Sequence, residues 1–157
     1  MQEGIPFQFQ DPGILIEGNL QLILVQKSPA IPVMNYAASY VFEMRPINSR
    51  IRLGGISLRI GRTEWLEMYA GHIGYSVEPE FRGNRYVARS CQLIRPLANS
   101  HGIDPIWITC DPENEASRRS IEIIGATYVE TVNVPKNTNM YRQGEFRKRR
   151  YRWGQPG

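Results

Sequence analysis

The spacing of apolar residues changes within one stretch, YSVEPEFRGNRYVA, and this change constrains the fold more than any other feature of the chain. Apolar and polar residues alternate up to Val77, as is typical of a strand, and after Arg82 the apolar residues recur at helical spacing. The stretch therefore predicts a strand, a short loop and a helix. Gly83 would let N–H groups of the loop converge, and the positive end of the helix dipole would then favour a pyrophosphate. An ordinary turn residue is the alternative for Gly83.

Four strand-like segments lie close together in the first half of the chain. Apolar and polar residues alternate within them, and the connections are short and rich in Pro, Gly and Asn. This arrangement favours an antiparallel meander. The segments are NLQLILVQ, SYVFEMR, RIRLGGISLRI and HIGYSVEP. Residues 1–19 are predicted to form an irregular N-terminal arm.

The helix after the loop is predicted over residues 84–102. Pro96 removes one backbone donor, so we expect a kink or a weakened last turn there. Gly102 is a stop signal. The apolar run PIWITC that follows suits a central strand.

A second helix and two more strands complete the prediction. Asp111 would be the N-cap and Pro112 the first helical residue, with Gly125 ending the helix. The segments ATYVETVNV and EFRKRRYRW then read as strands. The order is β-β-β-β-α-β-α-β-β, an α+β domain with a mixed sheet.

Composition narrows the class of protein. The chain has 157 residues, of which 41% are hydrophobic and 22% charged, and this suits one domain over residues 1–157. No apolar run approaches the roughly 20 residues needed to span a bilayer, so we expect no membrane span. The N-terminus has no basic start and no apolar stretch, so we expect no secretory signal. Cys91 and Cys110 lie in apolar patterns, which predicts free, buried thiols in a reducing cytoplasm. Neither belongs to a metal-like pair, and we predict no metal site.

The basic excess is confined to the C-terminal end. Six basic residues and one acid follow Tyr141, whereas the 13 basic and 14 acidic residues before them leave a charge of −1. A solvated face is the expectation, and contact with phosphates is the alternative. The basic residues form a strand-like run without a recognition helix, so nucleic acid is not an expected partner.

The order of elements and two stretches resemble the GNAT (Gcn5-related N-acetyltransferase) family. The resemblance runs from about Leu20 to Trp153 and is densest in GHIGYSVEPEFRGNRYVARS and WITCDPENEASRRSIEIIGA. It implies a mixed, mostly antiparallel central sheet with helices on both faces, and acetyl-CoA as cosubstrate. The Asn-x-x-Ser form without a later Tyr is more similar to the branch of the ribosomal-protein N-terminal acetyltransferases.

The resemblance also implies where CoA binds. In the family, amides of an R/Q-x-x-G-x-G/A loop hold the pyrophosphate. Arg82 fills its first position, whereas Arg85 replaces a usual Gly and Val87 a usual Gly or Ala. The added guanidinium could pair with a phosphate. The implied pyrophosphate residues are Arg82, Gly83, Asn84, Arg85, Tyr86, Val87 and Ala88.

The pantetheine arm is expected beside the strand before this loop. By resemblance, the backbone of Ser76 and Val77 pairs with it in a gap where HIGYSV and PIWITC splay apart, helped by a bulge near Val77. Asn114 would bond a pantetheine amide, with Ser117 one turn further on. Helix capping is the alternative for both. Ile121 stands where many GNAT enzymes have a Tyr that protonates the thiolate, so no general acid is identified.

The acceptor side departs from the family pattern. Only about ten residues, SPAIPVMNYAA, separate the first two predicted strands, so the two early helices of the family are shortened or absent. The acceptor cleft would then be open, or completed by a second subunit in a homodimer or by the N-terminal arm.

The mechanism implied is direct transfer, in which an amine attacks the thioester while donors near Val77 polarise its carbonyl. His72 is the candidate base by position, with a structural role as the alternative; His101 is expected to be an exposed helix end. Further candidate bases are Glu43, Glu64 and Glu67. The acceptor is left open between a small amine and a protein N-terminus or lysine, and a non-catalytic acyl-CoA-binding module is the third hypothesis.

Overall fold

Residues 7–34 and 36–154 are described by the computed structural model, and they form two antiparallel sheets with helices on both sides. The first sheet contains five strands in sequence order: β1 (Leu15–Glu17), β2 (Leu20–Ser28), β3 (Ala38–Pro46), β4 (Gly54–Ile60) and β5 (Ile73–Val77). The predicted meander is thus confirmed. The described part of the N-terminal arm is not wholly irregular, because Leu15–Glu17 pairs with β2.

The second sheet has the order β6-β8-β7, formed by β6 (Ile106–Cys110), β7 (Thr127–Asn133) and β8 (Arg147–Trp153). The helix α1 (Tyr86–Ser100) links β5 to β6, and α2 (Glu115–Ile123) follows β6. A short α3 (Asn139–Arg142) precedes β8.

The core lies between the sheets and the pair α1 and α2. Alternate residues of the first sheet point into it, as the cross-strand neighbours Phe42 and Ile56 show. Ile108 of β6 and Ile121 of α2 join the same cluster. A π-helical turn, Leu66–Ala70, packs on the opposite face against β6 and β8. Helices therefore lie on both faces, as expected for the fold class.

No α-helix lies in the described residues between β2 and β3, where the structure has only a 3₁₀ turn, Pro32–Met34. The expectation that the early helices are shortened or absent is confirmed. The outer face of the first sheet, which lies opposite α1, is left open over much of β3, β4 and β5.

The start of α2 differs from the prediction. Asn114 is the N-cap, and its Oδ1 accepts the Ser117 N–H at 3.0 Å, whereas the Asp111 carbonyl accepts the Asn114 N–H in a preceding turn. The helix α1 continues through Pro96 to Ser100, and Gly102 ends it with φ +79°. The π-helical turn and α3 were not predicted, because neither has a long apolar period.

The basic run in β8 is only partly a solvated face, because Arg147 is exposed and Arg149 and Arg152 are half-buried. Lys148 and Arg150 are buried, and each has an acidic partner: Lys148 bonds Glu145 at 2.5 Å and Arg150 bonds Glu130. A strand that carries five basic residues is thus folded into the second sheet by acidic neighbours.

Both cysteines, Cys91 and Cys110, are free and buried as predicted. Burial raises the pKa of the Cys91 thiol to about 12, so it stays protonated. None of the described helices has the length and apolarity to cross a membrane. Among residues 7–34 and 36–154, no cluster of His, Cys, Asp or Glu is placed to hold a metal ion.

Candidate active site

The two sheets meet at His72, which is 1% exposed and joins β5 to β6 through its backbone and its ring. Its N–H donates to the Trp107 carbonyl at 2.7 Å, and the Trp107 N–H donates to its Nδ1 at 2.9 Å. Beyond this contact the described parts of β5 and β6 form no ladder, so the strands separate. The predicted splay is present, but the β4–β5 register runs without a bulge from Leu58–Ile73 to Gly54–Val77.

Both nitrogens of the His72 ring form hydrogen bonds within the fold. Because Nδ1 accepts a hydrogen bond, Nε2 carries the proton and donates it to the Gly61 carbonyl at 2.9 Å. Burial lowers the pKa of His72 and keeps the ring neutral. With both nitrogens occupied, the ring is not available to an amine, and we do not retain His72 as a base.

Backbone groups of β5 face the gap in alternation. The Glu78 N–H bonds the Leu53 carbonyl at 2.8 Å, and the register makes Tyr75 and Val77 non-hydrogen-bonded partners of β4 residues. The N–H and C=O groups of Tyr75 and Val77 therefore point into the gap. Ser76 points its main chain toward β4, which differs from its predicted backbone role.

The loop after β5 turns into α1 through a left-handed residue. Gly83 has φ +90°, and Arg85 has φ 59° and ψ 27°. At position 85 the backbone conformation would favour glycine, because a side chain is strained there. No side chain caps α1 and no acid lies in its first turn, so its N-terminal donors remain open to an anion.

A cavity of about 350 Å³, the loop cavity, lies between this loop and α2. It brings together all the predicted cofactor residues except Ala88, which is buried within α1. Its lining is Tyr75, Ser76, Val77, Phe81, Arg82, Gly83, Asn84, Arg85, Tyr86, Val87, Asn114, Ala116, Ser117 and Ser120.

The loop cavity also contains a pair of hydroxyl groups that the sequence did not predict. The Tyr75 hydroxyl is hydrogen-bonded to Ser117 Oγ, and burial raises the pKa of Tyr75, so the phenol stays protonated. Ile121 is 1% exposed and packs in the core, so the family's Tyr position does not face this cavity. The alternation of β5 could have placed Tyr75 on the helix side, but not against Ser117.

A second cavity of about 320 Å³, the outer-face cavity, lies on the open face of the first sheet. Its floor consists of small residues that face each other across β4 and β5: Gly55 opposite Ser76, and Ser57 opposite Gly74. The loop cavity and the outer-face cavity share Tyr75 and Ser76.

Among the candidate bases, Glu43 is the one that lines a described cavity. Its carboxylate in the outer-face cavity is held by Arg45 at 2.9 Å and lies 3.9 Å from Arg52. Glu67 belongs to the π-helical turn, and its carbonyl accepts bonds from Arg150. His101, expected to be exposed, is partly buried with Nε2 2.5 Å from the Tyr40 hydroxyl.

Comparison with known families shows to which family the chain belongs. A family model described as an acetyltransferase (GNAT) domain matches residues 27–127, more than half of the chain. The chain belongs to the GNAT acetyltransferase family. No curated protein matches its sequence significantly.

Solved structures with the same fold are distant in sequence. A putative ribosomal-protein-serine acetyltransferase from Vibrio cholerae is 15% identical, with a TM-score of 0.65 over 93% of this chain and 100% of the other. RimL, an alpha-N-protein acetyltransferase of ribosomal L7/L12, was solved with CoA; it is 14% identical, with a TM-score of 0.62 over 88% and 96%. The self-immunity acetyltransferase MccE, solved with acetyl-CoA and AMP, is 16% identical, with a TM-score of 0.57 over 74% of this chain. The GNAT chain spans about three fifths of MccE, 61% of its length.

Proposed function

We propose that this GNAT protein transfers an acetyl group from acetyl-CoA, bound in the loop cavity, directly to an amine that enters from the outer-face cavity. The observation that carries the proposal is that the loop cavity and the outer-face cavity meet at β5, where they share Tyr75 and Ser76. A thioester at the shared position would be reached by CoA from one side and by the amine from the other.

The start of α1 supports the pyrophosphate position. The helix has open N-terminal donors and no acid in its first turn, and Arg82 and Arg85 line the same cavity. Backbone donors at a helix start bind phosphate oxygens, and guanidinium groups pair with them. Arg82 Nε donates to the Val77 carbonyl at 3.2 Å, so its remaining nitrogens are the ones that would reach a phosphate.

The gap beside β5 supports the position of the pantetheine arm. An amide-bearing chain can add to a strand edge that has lost its neighbour. Val77 presents an N–H there, and this donor would also polarise the thioester carbonyl. Asn114 uses Oδ1 as the helix cap, which leaves its Nδ2 group as a donor for a pantetheine amide.

In this proposal Ser117 stabilises the departing thiolate through a hydrogen bond. Tyr75, held neutral by burial, is hydrogen-bonded to Ser117 Oγ, which also interacts with the Cys110 thiol. If Tyr75 donates this bond, the serine hydroxyl hydrogen can turn from Cys110 to the sulfur of CoA. When the C–S bond breaks, the thiolate forms a hydrogen bond with Ser117 and takes its final proton from solvent. The amine loses one proton, for which Glu43 is the carboxylate on the acceptor side.

The burial of Ile121 favours an alternative, a module that binds acyl-CoA without turnover. The open outer face would also suit a protein N-terminus or lysine as acceptor. Completion of that face by a second subunit stays a prediction, for which sedimentation velocity should show a dimer mass. A cytoplasmic location likewise stays a prediction.

Calorimetric titration with acetyl-CoA and with CoA tests the cofactor site. A Cβ at Gly83 would meet nothing within 4 Å, so Gly83→Asp and Gly83→Asn fit the loop equally and share its strain at φ +90°. The aspartate adds only a charge, and we expect it to bind acetyl-CoA about tenfold more weakly than the asparagine variant. Equal affinities would remove the pyrophosphate from this loop.

Thiol release with a panel of amines then separates an enzyme from a binding module. Release that depends on an amine supports the transferase. Tight acetyl-CoA binding without release from small amines, peptides or lysine would favour the module.

A further inference from the structure

Arg59 lies on the outer face of β4, and its guanidinium rests on a glycine of the neighbouring strand. A Cβ on Gly74 would come within 2.6 Å of Arg59 Nη2 and 3.2 Å of Cζ. Nη1 donates to the carbonyls of Ala70 and Gly71, at 3.1 and 3.0 Å. The group is thus fixed between a glycine floor and the end of the π-helical turn.

The charge of Arg59 has no acidic partner among the described residues, whereas seven other cations of the fold form ion pairs. Arg45 and Arg52 on the same face pair with carboxylates, and so does the buried Arg150. Burial lowers the pKa of Arg59, because desolvation disfavours the charged form, and the two carbonyl contacts of Nη1 offset only part of that cost. Buried charges are normally paired, because their desolvation is costly.

Capping of the π-helical turn explains only part of this arrangement. The two carbonyl contacts both use Nη1. Nη2 and Nε have no hydrogen-bond partner within residues 7–34 and 36–154, although a guanidinium offers five donors. The free edge of the fork is therefore available to a ligand.

Arg59 also forms the wall between two cavities. It lines the outer-face cavity and a neighbouring one of about 460 Å³, the hairpin cavity, which is lined by Ile31, Tyr36 and Trp65 among others. Gly74, beneath the guanidinium, is two residues from Ser76, a separation of about 7 Å along a strand. An acceptor with its amine at Ser76 would reach Arg59 through a short chain.

We propose that Arg59 binds an anionic group, a carboxylate or phosphate, on the acceptor itself, so that the substrates are small amines that carry an oxyanion a few bonds from the nitrogen. The inference rests on the proposed acetyl transfer and names its substrate class. A planar guanidinium binds either oxyanion in a bidentate manner, with the remainder of the acceptor in the hairpin cavity.

Matched substrates test the proposal by thiol release. Amino acids from 3-aminopropionate to 6-aminohexanoate are compared with the alkylamines of equal length and with aminoalkyl phosphates. We expect kcat/KM to be about tenfold higher for the anionic members, with an optimum in chain length. A preference for carboxylate or for phosphate identifies the natural anion, whereas equal rates with the alkylamines would overturn the proposal.

Two variants locate the preference at Arg59. Arg59→Gln removes the charge and shortens the side chain, and Gly74→Ala displaces the guanidinium without changing Arg59 itself. Both should abolish the preference for anions, while thermal melts report whether they fold. Arg62→Gln removes an arginine that lines none of the described cavities and should keep the preference. Retention of the preference in Arg59→Gln would refute the assignment.

A binding measurement makes the test independent of turnover. In protein labelled with ¹⁵N-arginine, the Nε–H signal that is lost in Arg59→Gln belongs to Arg59. It should shift saturably with 5-aminopentanoate or inorganic phosphate and not with pentylamine. No shift with either anion, while acetyl-CoA still binds by calorimetry, would overturn the anion site and leave the acetyl-CoA site standing. Failure to bind acetyl-CoA would instead count against the proposed function, whatever Arg59 does.

Discussion

Arg85 holds a left-handed conformation at the start of α1, and replacing it separates the cost of this conformation from the benefit of its charge. With φ 59° and ψ 27°, it stands where the family usually has glycine. A side chain in this region costs about 1–2 kcal/mol. Glycine avoids that cost but loses about 0.4–1 kcal/mol through the freedom it gains in the unfolded chain. Arg85→Gly should therefore raise the free energy of unfolding by about 0.5–1 kcal/mol.

Arg85→Ala is the matched control, because it removes the same guanidinium and keeps the strained conformation. The guanidinium makes no hydrogen bond or ion pair with the described residues and is exposed, so its loss should leave stability nearly unchanged. The glycine variant should melt about 2–4 °C above the alanine variant for each kcal/mol. Urea unfolding of the two proteins with equal m-values gives the difference directly.

Acetyl-CoA affinity gives the second half of this test. If Arg85 pairs with a phosphate, both variants lose an exposed charge pair, and calorimetry should show an affinity about threefold lower in each. A glycine variant no more stable than alanine would refute the strain argument. Unchanged affinity in both variants would exclude Arg85 from the phosphate site, and the loop would then act through its amides alone.

Three further predictions follow from the hydrogen bonds of the site. Burial lowers the pKa of His72 and of His101, so the unfolded chain binds more protons than the folded one below about pH 6.5. The free energy of unfolding should therefore fall as the pH drops from 7 toward 5, by at most about 1.4 kcal/mol per pH unit for each His. The variant His72→Gln should show a flatter dependence on pH in urea titrations. Tyr75→Phe should leave acetyl-CoA affinity intact but raise the pKa of the CoA thiol in the complex, because the hydrogen bond to Ser117 is lost. The pKa of the thiol is measured from thiolate absorbance, and unchanged binding of desulfo-CoA is the control. Asn114→Ala should cost about 1 kcal/mol of stability through the lost cap of α2, measured by urea unfolding, whereas Thr138→Ala, which uncaps the four-residue α3, should cost less.

The parts of the fold that follow from local patterns were predicted from the sequence. Alternation gave the meander, and glycines marked the ends of α1 and α2, where Gly102 and Gly125 have positive φ. The predicted start of α2 was wrong because two capping residues lie close together before the helix. Asp111 and Asn114 are both capping residues, and only the tertiary structure shows that Asn114 caps the helix.

The loop cavity was also predictable, since its members lie in two contiguous motifs. Long-range contacts were not. The bond between Tyr75 and Ser117 joins residues 42 positions apart, and the outer-face cavity depends on the register of β4 against β5. The structural role of His72 depends on Trp107, 35 residues away, and this hydrogen bond could not be predicted from local sequence patterns.

One side chain lies at the point where the two sheets meet. A backbone acceptor on β5 would have continued the ladder to β6, but the Trp107 N–H is taken by the His72 ring. The strands are joined at that point and separate beyond it, which leaves the N–H groups of Tyr75 and Val77 facing a gap. On the outer face, no described helix lies between β2 and β3, and the small residues Gly55 and Gly74 are covered instead by the guanidinium groups of Arg52 and Arg59. In the proposed transfer, the acetyl-CoA side depends on the splay and the acceptor side on an outer face that no described helix covers. Substitutions at His72 should therefore impair acetyl-CoA binding, whereas substitutions at Arg59 should alter only the choice of amine.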